Sequence, residues 1–135
     1  MLKEMDFNRR RTKQRALVLE TVHRLEHPTA QEIYMHIKNI NRFSSKERIS
    51  LGTIYRNLQV LEDEGKIISV PSGQDAMRYD AKINAHYHLL CVKCGRVVDL
   101  PVEYRHTLDF SAEKSSGCRI KSHSIMFKGV CTDCL

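Results

Sequence analysis

Four of the five cysteines fall into two pairs of the same spacing, Cys91-Val-Lys-Cys94 and Cys131-Thr-Asp-Cys134. Two sulfurs two residues apart can turn toward one ion, and two such knuckles supply the four thiolates that tetrahedral Zn²⁺ accepts. The interval between the pairs, residues 95–130, exceeds that of a minimal zinc ribbon and has room for a helix and a strand. Gly95 suits the tight turn after the first knuckle. Ordinary buried thiols would not repeat the spacing. A thioredoxin-like redox pair opens a helix and usually occurs once. An iron–sulfur cluster also takes four cysteines, but two symmetric knuckles favour zinc. Four thiolates close the coordination sphere, so the expected role is structural. Cys118 stands alone.

A second set of candidate ligands is His27, Asp80, His86, His88 and Asp99. His86 and His88 are two residues apart, so on a strand both imidazoles leave the same face. Three neutral imidazoles with two carboxylates suit a divalent first-row ion such as Fe²⁺, Mn²⁺ or Zn²⁺. Taken singly, His27 reads as a surface or core residue. So do His23, His36 and His106.

These residues need a frame. Leu17, Val18, Val22 and Leu25 recur at helical spacing and predict a helix over 12–25, ended by Glu26-His27-Pro28. Thr29-Ala-Gln-Glu32 has the form of a capping box and opens a second helix with Ile33, Tyr34, Ile37 and Ile40 on its buried stripe. Asn41 to Arg48 reads as a loop. Ser50 caps a third helix, Leu51 to Glu64, with Ile54, Leu58 and Leu61 inward and Gly65 as its stop. Ile67–Val70, a turn at Pro71-Ser-Gly73 and Ala76–Tyr79 predict a hairpin. Three helices and a hairpin form a winged helix-turn-helix, whose third helix enters the DNA major groove. Beyond Asp80 strands are expected at 86–91 and 96–100, a helix at 103–114 and a strand at 120–127. The fold class is therefore α+β: a winged helix-turn-helix domain, residues 1–79, then a small α/β domain with a four-cysteine zinc site, residues 80–135. About 55 residues are marginal for an independent core without a staple or a partner.

Composition sets the outer limits. The 135 residues are 41% hydrophobic and 28% charged, as in soluble globular proteins. No apolar run is long enough for a membrane span, and the N-terminus lacks the apolar core of a signal peptide, so a cytoplasmic location is expected. That location argues against a disulfide framework. The net charge of +6 suits a nucleic-acid partner. Residues 1–79 carry 14 Lys and Arg against 10 Asp and Glu, and residues 80–135 carry 8 against 6. The densest basic patch, Arg9 to Arg15, reads by itself equally as a solvated arm.

The motifs together resemble the ferric uptake regulator (Fur) superfamily along nearly the whole chain. They are Thr12-Lys-Gln-Arg15, His27-Pro-Thr-Ala-Gln-Glu-Ile-Tyr34, Ser50-Leu-Gly-Thr-Ile-Tyr-Arg-Asn-Leu58, Glu64-Gly-Lys-Ile67, Arg78-Tyr-Asp80, His86-Tyr-His-Leu-Leu-Cys-Val-Lys-Cys-Gly95, Val98-Asp99 and Gly129-Val-Cys-Thr-Asp-Cys134. The resemblance implies a homodimeric transcription repressor that is not an enzyme, binds a double-stranded DNA operator and has no membrane partner. Residues 80–135 would provide dimerisation. A regulatory metal would sit between the halves.

Within the superfamily the chain is most similar to the peroxide-sensing repressors (PerR). Their three-His, two-Asp set matches His27, Asp80, His86, His88 and Asp99, which brings His27 into the ligand set. Fe²⁺ or Mn²⁺ would occupy that set, beside structural Zn²⁺ on Cys91, Cys94, Cys131 and Cys134. Iron-sensing members often carry Glu at positions 80 and 99, and a His-His-Asp-His run where this chain has Ala85-His86-Tyr87-His88. Two ligands of their accessory metal site are thus missing, and His123, matching a third, is not expected to bind metal. DNA contacts are expected from Lys13, Arg15, Thr53, Tyr55 and Arg56. Arg56 is the residue iron-responsive members tend to carry, and the 41–48 loop is longer than usual. The alternative within the family is an iron-responsive repressor without peroxide chemistry. Outside it stand an iron enzyme, for which five protein ligands leave too few open positions, and a zinc-ribbon module that binds only protein.

Overall fold

The computed structural model describes residues 2–40, 48–73 and 76–135, which divide into two compact units, Met1–Ile83 and Asn84–Leu135. The expected loop at 41–48 lies, apart from Arg48, outside the described residues.

Helix α1 runs Leu2–Leu25, starting ten residues before the helix that the amphipathic stripe predicts. Residues 2–11 hold no Pro or Gly and are rich in Arg, Leu, Met, Lys and Glu, good helix formers that need no core face to propagate a helix already nucleated. The basic run Arg9 to Arg15 is therefore helical, with Arg9 to Lys13 exposed. Val18 and Val22 carry the buried face, and Glu26 and His27 follow at φ 49° and 57°.

Helix α2, Ala30–Ile40, begins with the expected box. The Glu32 amide donates to Thr29 Oγ1 at 3.1 Å, and the Thr29 amide donates to Glu32 Oε2 at 3.2 Å. Ile33 and Ile37 are buried, but Ile40 is 55% exposed. As the last helical residue it has no further turn to hold it against a neighbour, which corrects its expected place on the buried stripe. Helix α3, Leu51–Asp63, is capped by Ser50, whose Oγ accepts from the Thr53 amide at 3.1 Å. It ends where Gly65 adopts φ 74°, which a Cβ would disfavour.

Strands β1, Ile68–Pro71, and β2, Met77–Asp80, form the antiparallel hairpin, with Ile68 opposite Asp80. Three helices and this hairpin close over one apolar cluster: Val18, Val22, Ala30, Ile33, Ile37, Ile49, Ile54, Leu58, Leu61, Ile67 and Tyr79. This is the winged helix-turn-helix arrangement.

The second unit is a three-stranded sheet in the order β4-β3-β5, with β3 Tyr87–Cys91, β4 Val97–Leu100 and β5 Met126–Gly129. β4 is antiparallel to β3 and β5 parallel to it. Two expectations are corrected. Helix α4 spans Thr107–Ser116, not 103–114. The Arg105 amide donates to the Tyr87 hydroxyl at 3.0 Å and the Tyr104 hydroxyl to the His123 carbonyl at 3.2 Å, which holds residues 104–105 off a helical path. The last strand starts at Met126, not at 120. Before it, the Ile120 amide donates to Glu113 Oε1 at 2.7 Å and the His123 amide to the Tyr104 hydroxyl at 3.4 Å, bonds a sheet ladder would need. α4 buries none of its residues; Phe110 on it is 68% exposed.

Candidate metal centres

The four paired cysteines converge at one end of the sheet. Cys91 ends β3, Cys94 closes the knuckle after it, Cys131 follows β5 and Cys134 ends a 3-10 turn, Thr132–Cys134. Their Sγ atoms lie within 4.8 Å of one another, with Cys94 and Cys131 3.8 Å apart. The knuckle forms because the Gly95 amide turns back to the Cys91 carbonyl at 2.9 Å, with Gly95 at φ 76°. The amides of Cys131 and Cys94 each donate to Cys91 Sγ at 3.4 Å. These bonds favour the thiolate and bring the Cys91 pKa down to about 6. Cys134 is pushed up to about 12, because it hydrogen-bonds first to Cys131 and then to Cys94. Four crowded thiols cannot all ionise by themselves. A divalent cation would remove the conflict, so the donor set fits zinc.

Of the His and Asp candidates, His27 and Asp80 belong to the first unit and His86, His88 and Asp99 to the second. In the first, His27 Nε2 lies 3.1 Å from Asp80 Oδ2, and both residues are 6% exposed. The Lys82 amide donates to Asp80 Oδ1 at 2.9 Å. His27 sits between α1 and the Pro28-Thr29 entry to α2. Asp80 ends β2, whose Tyr79 amide donates to the Pro28 carbonyl at 2.9 Å and so keeps the two segments adjacent.

In the second unit, His88 on β3 is paired in register with Asp99 on β4. Asp99 Oδ1 is 2.9 Å from His86 Nε2 and 3.3 Å from His88 Nε2. The two rings are 4.3 Å apart, on the common face their spacing predicts. His86 Nδ1 donates to the Asn84 carbonyl, which orients the ring so that Nε2 faces the carboxylate. Fixing one ring nitrogen by a backbone bond is how metal-ligating histidines are commonly oriented.

The expected DNA contacts all lie in the first unit. Tyr55 is 52% exposed on α3, and Arg56 beside it is exposed, its Nη2 donating to Thr53 Oγ1 at 3.1 Å. Thr53 thus steadies Arg56 and is itself fixed by the Ser50 cap. Lys13 is exposed on α1. Arg15 is half-buried and leans toward Glu64, 3.9 Å away.

The sequence reading missed two polar groups. One centres on Arg78, on β2. The other centres on His123. Its Nδ1 donates to Asp109 Oδ1 at 2.8 Å, its Nε2 accepts from the Tyr87 hydroxyl at 2.8 Å, and its ring stacks on Tyr104 at 4.3 Å and 11°. No spacing rule links residues 87, 104, 109 and 123. The signals were Tyr87 between two candidate ligands and His123 as the match to an accessory ligand, and neither pointed to the other. His23 and His106 are exposed and His36 is half-buried.

A model of the ferric uptake regulator family matches residues 7–128. The chain is 32% identical over 108 residues to a peroxide-responsive repressor, PerR, of Staphylococcus saprophyticus, covering 80% of this chain and 70% of that protein. Its fold superposes on the crystal structure of a Campylobacter jejuni peroxide stress regulator with a TM-score of 0.75 and 29% identity, covering 99% of this chain and 96% of the other. It is also similar in fold to the Helicobacter pylori ferric uptake regulator, with a TM-score of 0.70 at 24% identity, over 90% of this chain and 82% of the other.

Proposed function

The chain belongs to the ferric uptake regulator family, and on that premise we propose that it is a homodimeric, metal-dependent repressor that senses peroxide through oxidation of a ligand histidine. The observation that carries this reading is the donor set. The His27–Asp80 pair and the His86–Asp99–His88 cluster offer three imidazoles and two aspartates. In our reading all five hold one regulatory Fe²⁺ or Mn²⁺, and the four thiols hold a structural Zn²⁺. The ligands then come from both halves of the chain. Binding fixes His27, and with it the winged helix, to the zinc-stapled half. Losing the ion lowers the fraction of dimers competent for DNA, and apparent affinity falls by that fraction.

In the same reading Tyr55, Arg56 and Thr53 serve base recognition in the major groove, and Lys13 and Arg15 serve the backbone or minor groove. Two features support a second copy against the other unit. α4 leaves Phe110 and Leu108 exposed, and β5 is an edge strand carrying exposed Phe127. The operator is double-stranded DNA, and half-site spacing follows the dimer.

Bound Fe²⁺ would supply the redox chemistry with peroxide, which Mn²⁺ does poorly: overall, one H2O2 would give one oxygen atom to an imidazole and leave as water, a two-electron change in which the iron is restored. The imidazole of His27 or of His86 is the group that takes up the oxygen, and an oxidised imidazole is a poor ligand. This event is stoichiometric, not catalytic turnover. Names of relatives support the peroxide branch. Arg56 favours the second reading, an iron-responsive repressor of the same architecture, because iron-responsive members tend to carry Arg there.

The deciding experiment measures operator binding by Fe²⁺- and Mn²⁺-loaded protein before and after a low dose of peroxide. Only the Fe²⁺ form is expected to lose binding, with one added oxygen on the His27 or His86 peptide and little change at the cysteines. Asp99→Glu should blunt the peroxide response and keep metal-dependent binding. Equal sensitivity with both metals, or inactivation that follows cysteine oxidation, overturns the reading. Activation by Fe²⁺ with no peroxide response assigns the iron-responsive alternative.

A further inference from the structure

Arg78 makes contacts that its charge alone does not explain. It stands on β2 two residues before Asp80, so both side chains leave the strand on the same side. Asp80 approaches the His27 ring, with 3.1 Å between Nε2 and Oδ2. Arg78 takes the same residue by its main chain: Nη1 donates to the His27 carbonyl at 2.8 Å. That nitrogen also lies 3.4 Å from Glu32 Oε2, the acceptor that caps α2 through the Thr29 amide. An isolated bridge between Thr29 and Arg78 extends the pairing. Strand β2 therefore grips His27 twice, once at the ring and once at the backbone.

The backbone grip has a physical purpose. Glu26 and His27 both sit at positive φ, 49° and 57°, among non-glycine residues that disfavour that region. Two such residues in succession hold only if the surroundings over-determine them. The Arg78 guanidinium is well placed for this, being largely buried, with its side chain 18% exposed. A fixed His27 carbonyl fixes the direction in which the imidazole leaves the chain.

We propose that Arg78 is the positioning residue for His27: it locks the left-handed His27 backbone so that the imidazole is aimed before metal arrives, and it ties that ligand to the capping box of α2. The inference rests on the reading of His27 as a metal ligand. It adds a link from the regulatory site into the helix-turn-helix that runs through one side chain, by way of Glu32.

Charge makes the test decisive. A cation beside a cation site repels it, so if Arg78 acted only through charge, removing it would tighten Mn²⁺ binding. Positioning requires the opposite sign. The experiment uses the full-length zinc-containing protein and measures Mn²⁺ affinity by chelator competition for wild type, Arg78→Met, Arg78→Lys and His27→Ala. It adds amide hydrogen exchange on the Mn²⁺-free proteins. Arg78→Met is expected to weaken Mn²⁺ binding about 10-fold, the lower end for residues that orient ligands. It should also speed exchange at the Tyr79 and Glu32 amides, which bond the Pro28 carbonyl and Thr29 Oγ1, with no metal present. Arg78→Lys keeps the charge and one flexible donor, and should fall between wild type and Arg78→Met on both readouts. If Arg78→Met does not fold, the Lys variant decides by the same sign. Tighter or unchanged Mn²⁺ binding in the folded variants, with His27→Ala abolishing it, overturns the role of Arg78 alone. Unchanged binding in His27→Ala overturns the metal site as well.

Discussion

The two units of this chain are held by different physics. The first closes eleven apolar side chains from three helices and the hairpin into one cluster. The second buries few apolar groups: its fully enclosed residues centre on Tyr87, Val97 and the thiols Cys91 and Cys131, and α4 contributes none. In place of an oily core it has a thiol cluster at one end of the sheet and a hydrogen-bonded cluster around His123 beneath α4. Apolar burial is non-directional and tolerates local change. Thiolate ligation and buried polar networks are directional: a lost thiol opens the whole site, and a lost network member leaves its partners unsatisfied. The first unit should therefore soften by degrees under mutation, and the second should fail outright when a thiol is lost.

The largest effect expected is at the thiols. Structural zinc in small domains contributes roughly 10–16 kcal/mol of apparent binding energy, which is folding energy when no site exists in the unfolded chain. Cys91→Ser, or zinc removal under reducing conditions, should unfold residues 84–135 and break up the dimer while the helices of the first unit persist. Limited proteolysis read by mass spectrometry checks this: fragments from the second unit should disappear and a resistant piece ending near residue 83 should remain. A zinc-free protein that stays dimeric and uncut sinks the contrast.

A core truncation should give the converse. Leu58 is 1% exposed on α3, and Leu58→Ala is expected to cost about 2–5 kcal/mol. Thermal unfolding should show the loss in the helical transition, with zinc content unchanged at one ion per chain. Zinc loss that tracks the helical transition would mean that the units are energetically one body.

The smallest effect sharpens the comparison within the second unit. Tyr87→Phe removes the hydroxyl that meets His123 Nε2 and the Arg105 amide, and leaves both without that partner. The expected cost is about 1–3 kcal/mol. It should be read as faster exchange of the Arg105 amide with the thiol site intact. If the variant is as stable as wild type, the His123 cluster is incidental and zinc alone organises this half.

How much of this was legible beforehand depended on whether a feature is local. Caps, stops and knuckles are set within a few residues. The Thr29–Glu32 box, the Ser50 cap, the Gly65 stop and the two Cys pairs could thus be read from spacing, and the structure forms each. Hydrophobic period placed α2, α3 and the hairpin. It missed the first ten residues of α1, because an extension of good helix formers needs no buried face. It also misplaced α4 and β5, where side chains distant in sequence capture backbone amides that a helix or ladder would otherwise use. His27 needed family resemblance, since nothing in its own neighbourhood distinguishes it from His23 or His36. The sequence by itself determined the elements, the thiol knuckles and the paired face of His86 and His88, because each follows from backbone periodicity over a short span. Only the tertiary structure decided that Asp99 lies across from His88, that Tyr87 meets His123, and that Arg78 holds a left-handed His27. Those contacts join residues 11 to 51 positions apart, and chain folding alone chooses among such pairs.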